Sequence, residues 1–239
     1  MLSWFKSLLD LFLPPRCLKC GKVISGEAGL CSDCFNEMEF ITEPYCKKCG
    51  YPFEMAPDGK SRLCASCARH KATPFRMLRS AVKYDEASKP LILAFKFMDH
   101  TDNAKVFASW LKFAARDILV QGVDVIVPIP LHYSRLIKRR YNQSALLARE
   151  LSKLTGIPVN YDAVIRHRRT KPQVQFSGHA RVKNVKGAFS IKKPEQIRGK
   201  RILLIDDVMT TGSTLKECAL ALRQAKAKSV DTVTVARVC

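Results

Sequence analysis

Nowhere in the 239 residues is there an apolar run long enough to cross a bilayer as a helix, which takes about 20 residues. No GxxxxGK[ST] occurs either. The first absence argues against an integral membrane segment, and the second excludes a Walker-type nucleotide loop. Acid is scarce: 21 Asp+Glu stand against 41 Lys+Arg, a formal net charge of +20. Such a deficit favours polyanionic partners (nucleic acid, phosphorylated metabolites or an anionic membrane surface) and says nothing about fold. His100, His132, His167 and His179 lack metal-ligand spacing, and only His132 is a candidate for touching a ligand. The opening MLSWFKSLLDLFLPPRC sets Trp4, Phe5, Leu8, Leu9, Leu11 and Phe12 at helical spacing, but Pro14 and Pro15 end the run, and no small-residue cleavage site follows. A short amphipathic helix over 1–16 is expected, for packing or for a transient membrane or partner contact, in a cytoplasmic protein.

Cysteine is abundant and uneven. Eight of the ten fall in the first 67 residues, in two sets of one shape. Cys17-Leu-Lys-Cys20 is followed by Cys31-Ser-Asp-Cys34, and Cys46-Lys-Lys-Cys49 by Cys64-Ala-Ser-Cys67; Gly21 and Gly50 close the first knuckle of each set. Four thiolates from two CxxC knuckles match a tetrahedral zinc ion with no open position, hence a structural site. Disulfides would need an oxidising compartment for which nothing here argues, and iron–sulfur ligation uses other spacings. Pairing by adjacency is an assumption at this point; an interleaved arrangement stays open. A double zinc ribbon is expected over 17–70. Residues 1–75 are nearly neutral at +2, so +18 of the charge lies in the remainder.

That remainder, 76–239, alternates strand-like and helix-like stretches. VDVIVPI (123–129), KRILLIDD (200–207) and SVDTVTVARV (229–238) read as Val- and Ile-rich strands. Phe107, Trp110, Leu111, Ala114 and Ile118 share a helical face, as do Leu147, Ala148, Leu151 and Leu154, and Leu215, Cys218, Ala219 and Leu222. The alternation implies an α/β domain with a largely parallel sheet, whose ligands bind beyond the carboxyl ends of the strands.

LLIDDVMTTGST (203–214) falls at such an end. Asp206 and Asp207 would emerge from a buried strand. Thr210, Thr211, Gly212, Ser213 and Thr214 would turn into a helix beginning near Thr214, with amides and hydroxyls that form an anion site. Two carboxylates repel a phosphate, so they must face a neutral, hydroxyl-bearing part of the same ligand. A ribose 5-phosphate satisfies both halves.

The stretch resembles the 5-phosphoribosyl-1-pyrophosphate motif of type I phosphoribosyltransferases. With the paired CxxC ribbons, VPIPLH (127–132), RRYNQSALLARELS (139–152), RTKPQ (169–173) and RVKNVKGAF (181–189), the whole chain is similar to the ComF family of competence-type proteins. The resemblance implies a phosphoribosyltransferase-like parallel sheet behind the zinc ribbon. It also implies Asp206 and Asp207 on the ribose hydroxyls, and Val208, Met209 and the loop Thr210 to Thr214 around the 5-phosphate. Pro128, Ile129, Pro130, Leu131 and His132 would lie against the pyrophosphate, with Mg²⁺ bridging ribose and pyrophosphate. Arg135, Arg139, Asn142 and Gln143 fall on an Arg…Arg-Gly-Phe-Asn-Gln pattern in which Arg140 and Tyr141 replace the Gly and Phe.

Between 132 and 186 there are 13 Lys+Arg and 2 acids. Arg166, Arg168, Arg169, Lys171, Arg181, Lys183 and Lys186, with Asn142, Gln143, Thr170, Gln173 and Asn184, form either a flap over the site or a track for single-stranded DNA. Phe176, Tyr141 and Phe189 are interleaved and either stack on bases or, as such aromatics more often do, serve as packing residues. Lys96 either reaches the site from an early helix or is a surface lysine. Three functions follow: an enzyme transferring the phosphoribosyl group, a sensor of the same metabolite, or a DNA-handling factor that engages single strands or a translocase. The resemblance implies a role in DNA uptake or in the use of internalised DNA.

Overall fold

The computed structural model describes residues 14–25, 29–55, 63–69, 73–168 and 185–239. Helices α1 (Ser32–Asn36) and α2 (Ala65–Arg69) are single turns that each carry one cysteine inward, Cys34 and Cys67. Then come β1 (Leu78–Lys83), α3 (Lys89–Phe97), α4 (Asn103–Ala114), α5 (Arg116–Val120), β2 (Val125–Pro128), α6 (Tyr133–Arg139) and α7 (Gln143–Thr155). The chain ends with β3 (Val164–Arg166), β4 (Phe189–Ile191), β5 (Arg201–Met209), α8 (Ser213–Gln224) and β6 (Ser229–Arg237).

Four strands form one sheet in the order β1-β6-β5-β2, all pairs parallel. Central strand β5 is apolar without alternation over Ile202–Ile205 because both faces are covered, and its neighbour β6 is equally buried although it carries Asp231, Thr232, Thr234 and Arg237. Leu203, Ile205, Val233 and Val235 pack with Leu91, Ile92, Phe95, Phe107, Leu111, Leu147 and Leu151 on one face. Ile202, Leu204 and Val230 pack with Leu215, Cys218, Ala219 and Leu222 on the other, together with Val164 and Phe189 of the small antiparallel pair β3–β4. Each fully buried Leu, Ile or Phe contributes about 1.5–3 kcal/mol, so β5, whose residues 202–205 are all 0 % exposed, anchors the fold.

The expected helix across Phe107 and Ile118 is broken at Ala115 into α4 and α5. Three strands have no counterpart in the periodicity reading: β1, whose Arg79 and Ser80 look polar although both are buried, and the three-residue β3 and β4.

The edge of β1 is not open to solvent. Ile41 N donates to Ala81 O at 2.8 Å, Lys83 N to Glu39 O at 2.9 Å, and Leu78 N to Lys48 O at 2.8 Å. The cysteine-rich segment thus caps the sheet margin, one of the standard ways of protecting an edge strand. The other margin, β2, is covered by residues 158–160: Ile126 N donates to Pro158 O and Asn160 N to Ile126 O, both at 2.9 Å.

Candidate functional site

The site forms where two ladders end at different points. Pairing of β2 with β5 stops at Pro128–Ile205, whereas β5 stays in register with β6 through Asp206–Thr234 and on to Met209–Arg237. Strand β5 therefore outlasts the expected end at Asp207 by two residues. Asp206 and Asp207 stand beside the vacated edge beyond β2, both half-buried, in the crevice where parallel sheets bind ligands.

Ser144 Oγ donates to Asp206 Oδ1 at 3.0 Å, the Asp207 amide donates to the same oxygen at 2.9 Å, and the Val208 amide donates to Asp207 Oδ1 at 2.5 Å. Lys96 Nζ lies 3.2 Å from Asp207 Oδ1. Burial first, then the charge of Asp207, pushes the Asp206 carboxyl up to about 7, against the Asp207 amide, Lys96 and Ser144. Asp206 is thus a proton-bearing acid at pH 6 and an anion at pH 8. If it must be ionised to meet ribose or metal, affinity for a Mg²⁺-bound sugar phosphate will rise as pH climbs through about 7. A flat titration between pH 6 and 8 removes Asp206 from the ligand set.

Three residues on, the chain turns at Gly212 with φ +70°, a left-handed conformation natural to glycine. Helix α8 starts at Ser213 with Gly212 as its N-cap, a residue with no side chain to offer as a cap. Asp206, Val208, Met209, Thr210, Gly212, Ser213 and Thr214 line one recess, and Thr211 Oγ1 and Ser213 Oγ are 3.0 Å apart. The donor set is the amides and hydroxyls of a helix start beside two hard carboxylates. It fits an anionic group on one side and hydroxyls or a divalent cation on the other.

Across the crevice, Pro128 and Ile129 are buried and Pro130, Leu131 and His132 are half-buried. His132 Nδ1 caps α6 by accepting from Ser134 N. Asn142 caps α7, accepting from Ser144 N at 3.1 Å and donating to Ile129 O at 3.0 Å. One side chain therefore ties the Pro128–His132 loop to the serine that holds Asp206. Gln143 is 1 % exposed and bonds Lys96 O and Arg139. Asn142 and Gln143 are built into the scaffold rather than onto an exposed track.

Arg166 also departs from the track: it is 7 % exposed and its guanidinium lies over the Phe189 ring at 5.3 Å, because β3 turns it inward. Arg168 is exposed, and Arg135 lies within α6. Arg169, Thr170, Lys171, Gln173, Phe176, His179, Arg181, Lys183 and Asn184 lie outside the described residues, as does most of the 1–16 segment. Ser144 is the site residue that sequence reasoning missed; its only signal is its place two residues after a helix-capping asparagine.

Arg140 adopts φ +64° at the C-terminus of α6, where the family pattern has glycine. The tight turn is kept, at the cost of about 1–2 kcal/mol for a side chain in that region. Arg140 pairs with Asp99 at 3.5 Å, but both side chains are exposed, and such a pair adds little. Arg140→Gly is expected to raise stability by roughly 0.5–1 kcal/mol after glycine's own entropy is counted, read as a higher urea midpoint at unchanged slope.

The cysteines form two sites, Cys17, Cys20, Cys31, Cys34 and Cys46, Cys49, Cys64, Cys67, each with its four sulfurs within 4.8 Å of one another. Pairing is by adjacency and not interleaved. A tetrahedral zinc ion with Zn–S bonds of about 2.3 Å spaces its ligands about 3.8 Å apart. The Cys20–Cys31 and Cys49–Cys64 sulfurs are 3.7 and 3.6 Å apart, far beyond the ~2.05 Å of a disulfide. Without metal the second set shares its protons unevenly: the Cys49 thiol hydrogen bond, helped by the Cys49, Cys64 and Lys48 amides against burial, pulls Cys46 down, while the same bond and burial push Cys49 up and burial pushes Cys67 up. Cys46 is thus the thiolate present first, and the others need the positive charge of a metal to ionise. Both sites fit structural zinc.

An acidic pair at the carboxyl end of a central parallel strand, followed by a glycine-turned helix start, defines a phosphoribosyltransferase-like domain, here joined to a double zinc ribbon. Residues 141–238 match the phosphoribosyl transferase domain family and residues 8–70 the double zinc ribbon domain family. The chain is 31 % identical over 228 residues to competence protein F of Haemophilus influenzae, covering 93 % of this chain and 96 % of that protein. It is 32 % identical over 227 residues to the DNA utilization protein YhgH of Escherichia coli K12, covering 92 % and 96 %. Over 214 residues it is 27 % identical to competence protein ComFC of Bacillus subtilis, covering 87 % and 84 %. The chain belongs to the ComF family, the homologues of competence protein F.

Proposed function

We propose that this protein binds 5-phosphoribosyl-1-pyrophosphate with Mg²⁺ and transfers the phosphoribosyl group to a nucleophilic acceptor, in the service of DNA uptake or the use of internalised DNA. The observation that carries the reading is the joining of opposite chemistries within nine residues of chain: Asp206 and Asp207 for hydroxyls, then the helix start after Gly212, with its amides and hydroxyls, for a phosphate. In the transfer, the bond from sugar C1 to the pyrophosphate oxygen breaks, its electron pair leaving with pyrophosphate. The acceptor's lone pair forms the new bond to C1, and the acceptor then releases a proton. Such a step needs leaving-group charge stabilised rather than a protein nucleophile. Mg²⁺, when bound, would supply that charge. Asp206, oriented by Ser144, and Asp207 face the ribose and would hold the cation that comes with it; the α8 start holds the 5-phosphate; the Pro128–His132 loop, tied down by Asn142, backs the pyrophosphate. The reduced tetracysteine sites suit a cytoplasmic setting, and among the described residues no helix is long and apolar enough to cross a membrane.

The test is calorimetric titration of the zinc-loaded protein with phosphoribosyl pyrophosphate, with and without Mg²⁺, followed by pyrophosphate release in the presence of nucleobases. Mg²⁺-dependent binding with release identifies an enzyme; binding without release identifies a sensor; absence of binding overturns the reading.

A second reading, contact with single-stranded DNA, is favoured by the 13 basic and 2 acidic residues between 132 and 186 and by relatives named for competence and DNA utilization. Strands β3 and β4 pair on either side of residues 167–188, which hold the later part of this segment. Replacing Arg168 and Arg169 by glutamine is expected to lower the salt slope of DNA affinity by about 0.7 for each phosphate that is no longer neutralised. An unchanged slope would remove the track.

A further inference from the structure

The last carbonyls of a helix have no partner within it, and two of those at the end of α3 are satisfied by one short segment. Phe95 O accepts from Tyr141 OH at 2.8 Å and Lys96 O accepts from Gln143 Nε2 at 3.2 Å. Gln143 Oε1 in turn accepts from Arg139 Nη1 at 3.3 Å, and the Arg139 guanidinium lies over the Phe97 ring at 5.0 Å. Arg139, Tyr141 and Gln143 thus grip Phe95, Lys96 and Phe97. The tyrosine hydroxyl that makes one of these bonds is the atom by which residue 141 differs from the family's phenylalanine. At the centre of this grip Lys96 Nζ reaches Asp207 Oδ1 at 3.2 Å, with side chains only 18 % and 14 % exposed.

The backbone of Lys96 is therefore fixed while its ammonium sits on a flexible four-carbon stem with three donors. Two adjacent carboxylates would repel each other without a cation, and Lys96 is the cation placed there.

We propose that Lys96 is the resident counter-ion of the acid pair, and that Arg139, Tyr141 and Gln143 are its positioning residues. Asp207 would then be free to hold a divalent cation that enters with the sugar phosphate, and the released ammonium, still held at its backbone, would move to a phosphate oxygen of the ligand. The inference rests on the sugar-phosphate reading of the site, and it assigns the Arg-Arg-Tyr-Asn-Gln segment to aiming a lysine rather than to touching phosphate with all its members.

The experiment titrates two probes separately into the zinc-loaded full chain: Mn²⁺ alone, followed by the resonance of the free ion, and phosphoribosyl pyrophosphate with Mg²⁺. Lys96→Met should bind Mn²⁺ about three- to tenfold more tightly, because a competing cation is gone, and phosphoribosyl pyrophosphate about tenfold more weakly. A merely structural lysine would not move the two affinities in opposite directions. Lys96→Arg should restore ligand affinity towards the wild-type value. Tyr141→Phe, which keeps the ring and the lysine, should shift both probes in the same directions by smaller factors, and it carries the test if Lys96→Met fails to fold. Unchanged Mn²⁺ affinity in Lys96→Met overturns the counter-ion role, and unchanged ligand affinity overturns the hand-over. If Asp206→Asn/Asp207→Asn binds phosphoribosyl pyrophosphate like wild type, the site reading fails and takes the inference with it. If that variant loses binding while Lys96→Met behaves as wild type, only the inference fails.

Discussion

Replacing Asp206 and Asp207 together by asparagine is expected to abolish Mg²⁺-dependent binding of phosphoribosyl pyrophosphate, by about a hundredfold or more, without unfolding the protein. Charge-assisted hydrogen bonds contribute about 1.5–3 kcal/mol each, and two of them would be weakened at once. Asparagine keeps the oxygens that accept from Ser144 and from the Asp207 and Val208 amides, so the end of β5 retains its local bonds. The single change Asp206→Asn goes further and should stabilise the fold. With Asp206 raised to about 7 in the folded chain and near ~3.9 when unfolded, the folded state holds the extra proton between those values. The stability owed to that proton is present below the unfolded pKa and is lost as pH climbs to about 7, so at pH 8 ionised Asp206 is a net cost. Thermal melts at pH 8 should show Asp206→Asn above wild type, while calorimetry shows its ligand binding reduced. A lower melting point together with intact binding would assign Asp206 a structural role instead. Salt-sensitive DNA binding, if present, should survive the double change, because the acids lie in the crevice and not on the basic segment.

Loss of the second zinc ion is expected to damage the sheet as well as the ribbon. Structural zinc supplies on the order of 10 kcal/mol of folding free energy per site, and the Cys46 knuckle is joined to the sheet margin through three successive carbonyls. Lys47 O accepts from Arg79 Nη2 at 2.9 Å, Lys48 O from Leu78 N at 2.8 Å, and Cys49 O from Arg237 Nη1 at 2.6 Å. Both arginines are nearly fully buried, at 3 % and 5 % exposure. Arg79 also pairs with Asp117 and lies over the Tyr45 ring, and Arg237 lies over the Tyr51 ring. Cys49→Ser should therefore leave two buried guanidiniums short of acceptors and bare the edge of β1.

Hydrogen exchange should report this as loss of protection at the amides of 78–83, accompanied by aggregation through the exposed edge. Cys20→Ser in the first site should leave protection at 78–83 largely intact, since none of the carbonyls bonded by Leu78, Arg79 and Arg237 belongs to that knuckle. Equal loss of β1 protection in both variants would mean that the ribbon acts as one unit. Gly50 sharpens the same point: it sits at φ +64°, and a Cβ there would meet Leu78 O at 2.7 Å. Gly50→Ala should thus lower stability even with zinc in place, whereas a freely hinged ribbon would tolerate it.

Much of this protein was legible along the chain. The tetracysteine sites are local, because ligand type and spacing within each CxxC knuckle dictate the geometry. The central strands are local too, because a run such as Ile202 to Ile205 has only one environment that rewards it, burial on both faces. The 203–214 stretch was readable as a site because opposite chemistries, carboxylate and anion cradle, adjoin in sequence. What the chain could not show were contacts between residues far apart along it.

Strand β1 escaped notice because its arginine and serine look exposed until the ribbon's carbonyls and Thr234 are brought to them; Ser80 Oγ and Thr234 Oγ1 are 2.7 Å apart. Ser144 lies 62 residues from the aspartate it orients. Arg166, Asn142 and Gln143 belong to the basic stretch by composition, yet the structure turns them inward. Lys96 stood equally open as surface lysine or site residue until the segment Arg139 to Gln143 closed around it. Residue type and short-range periodicity decided which groups this protein possesses and which strands it buries. Only the tertiary structure decided which of its many cations faces the acid pair, because charge by itself carries no address and a folded backbone supplies one.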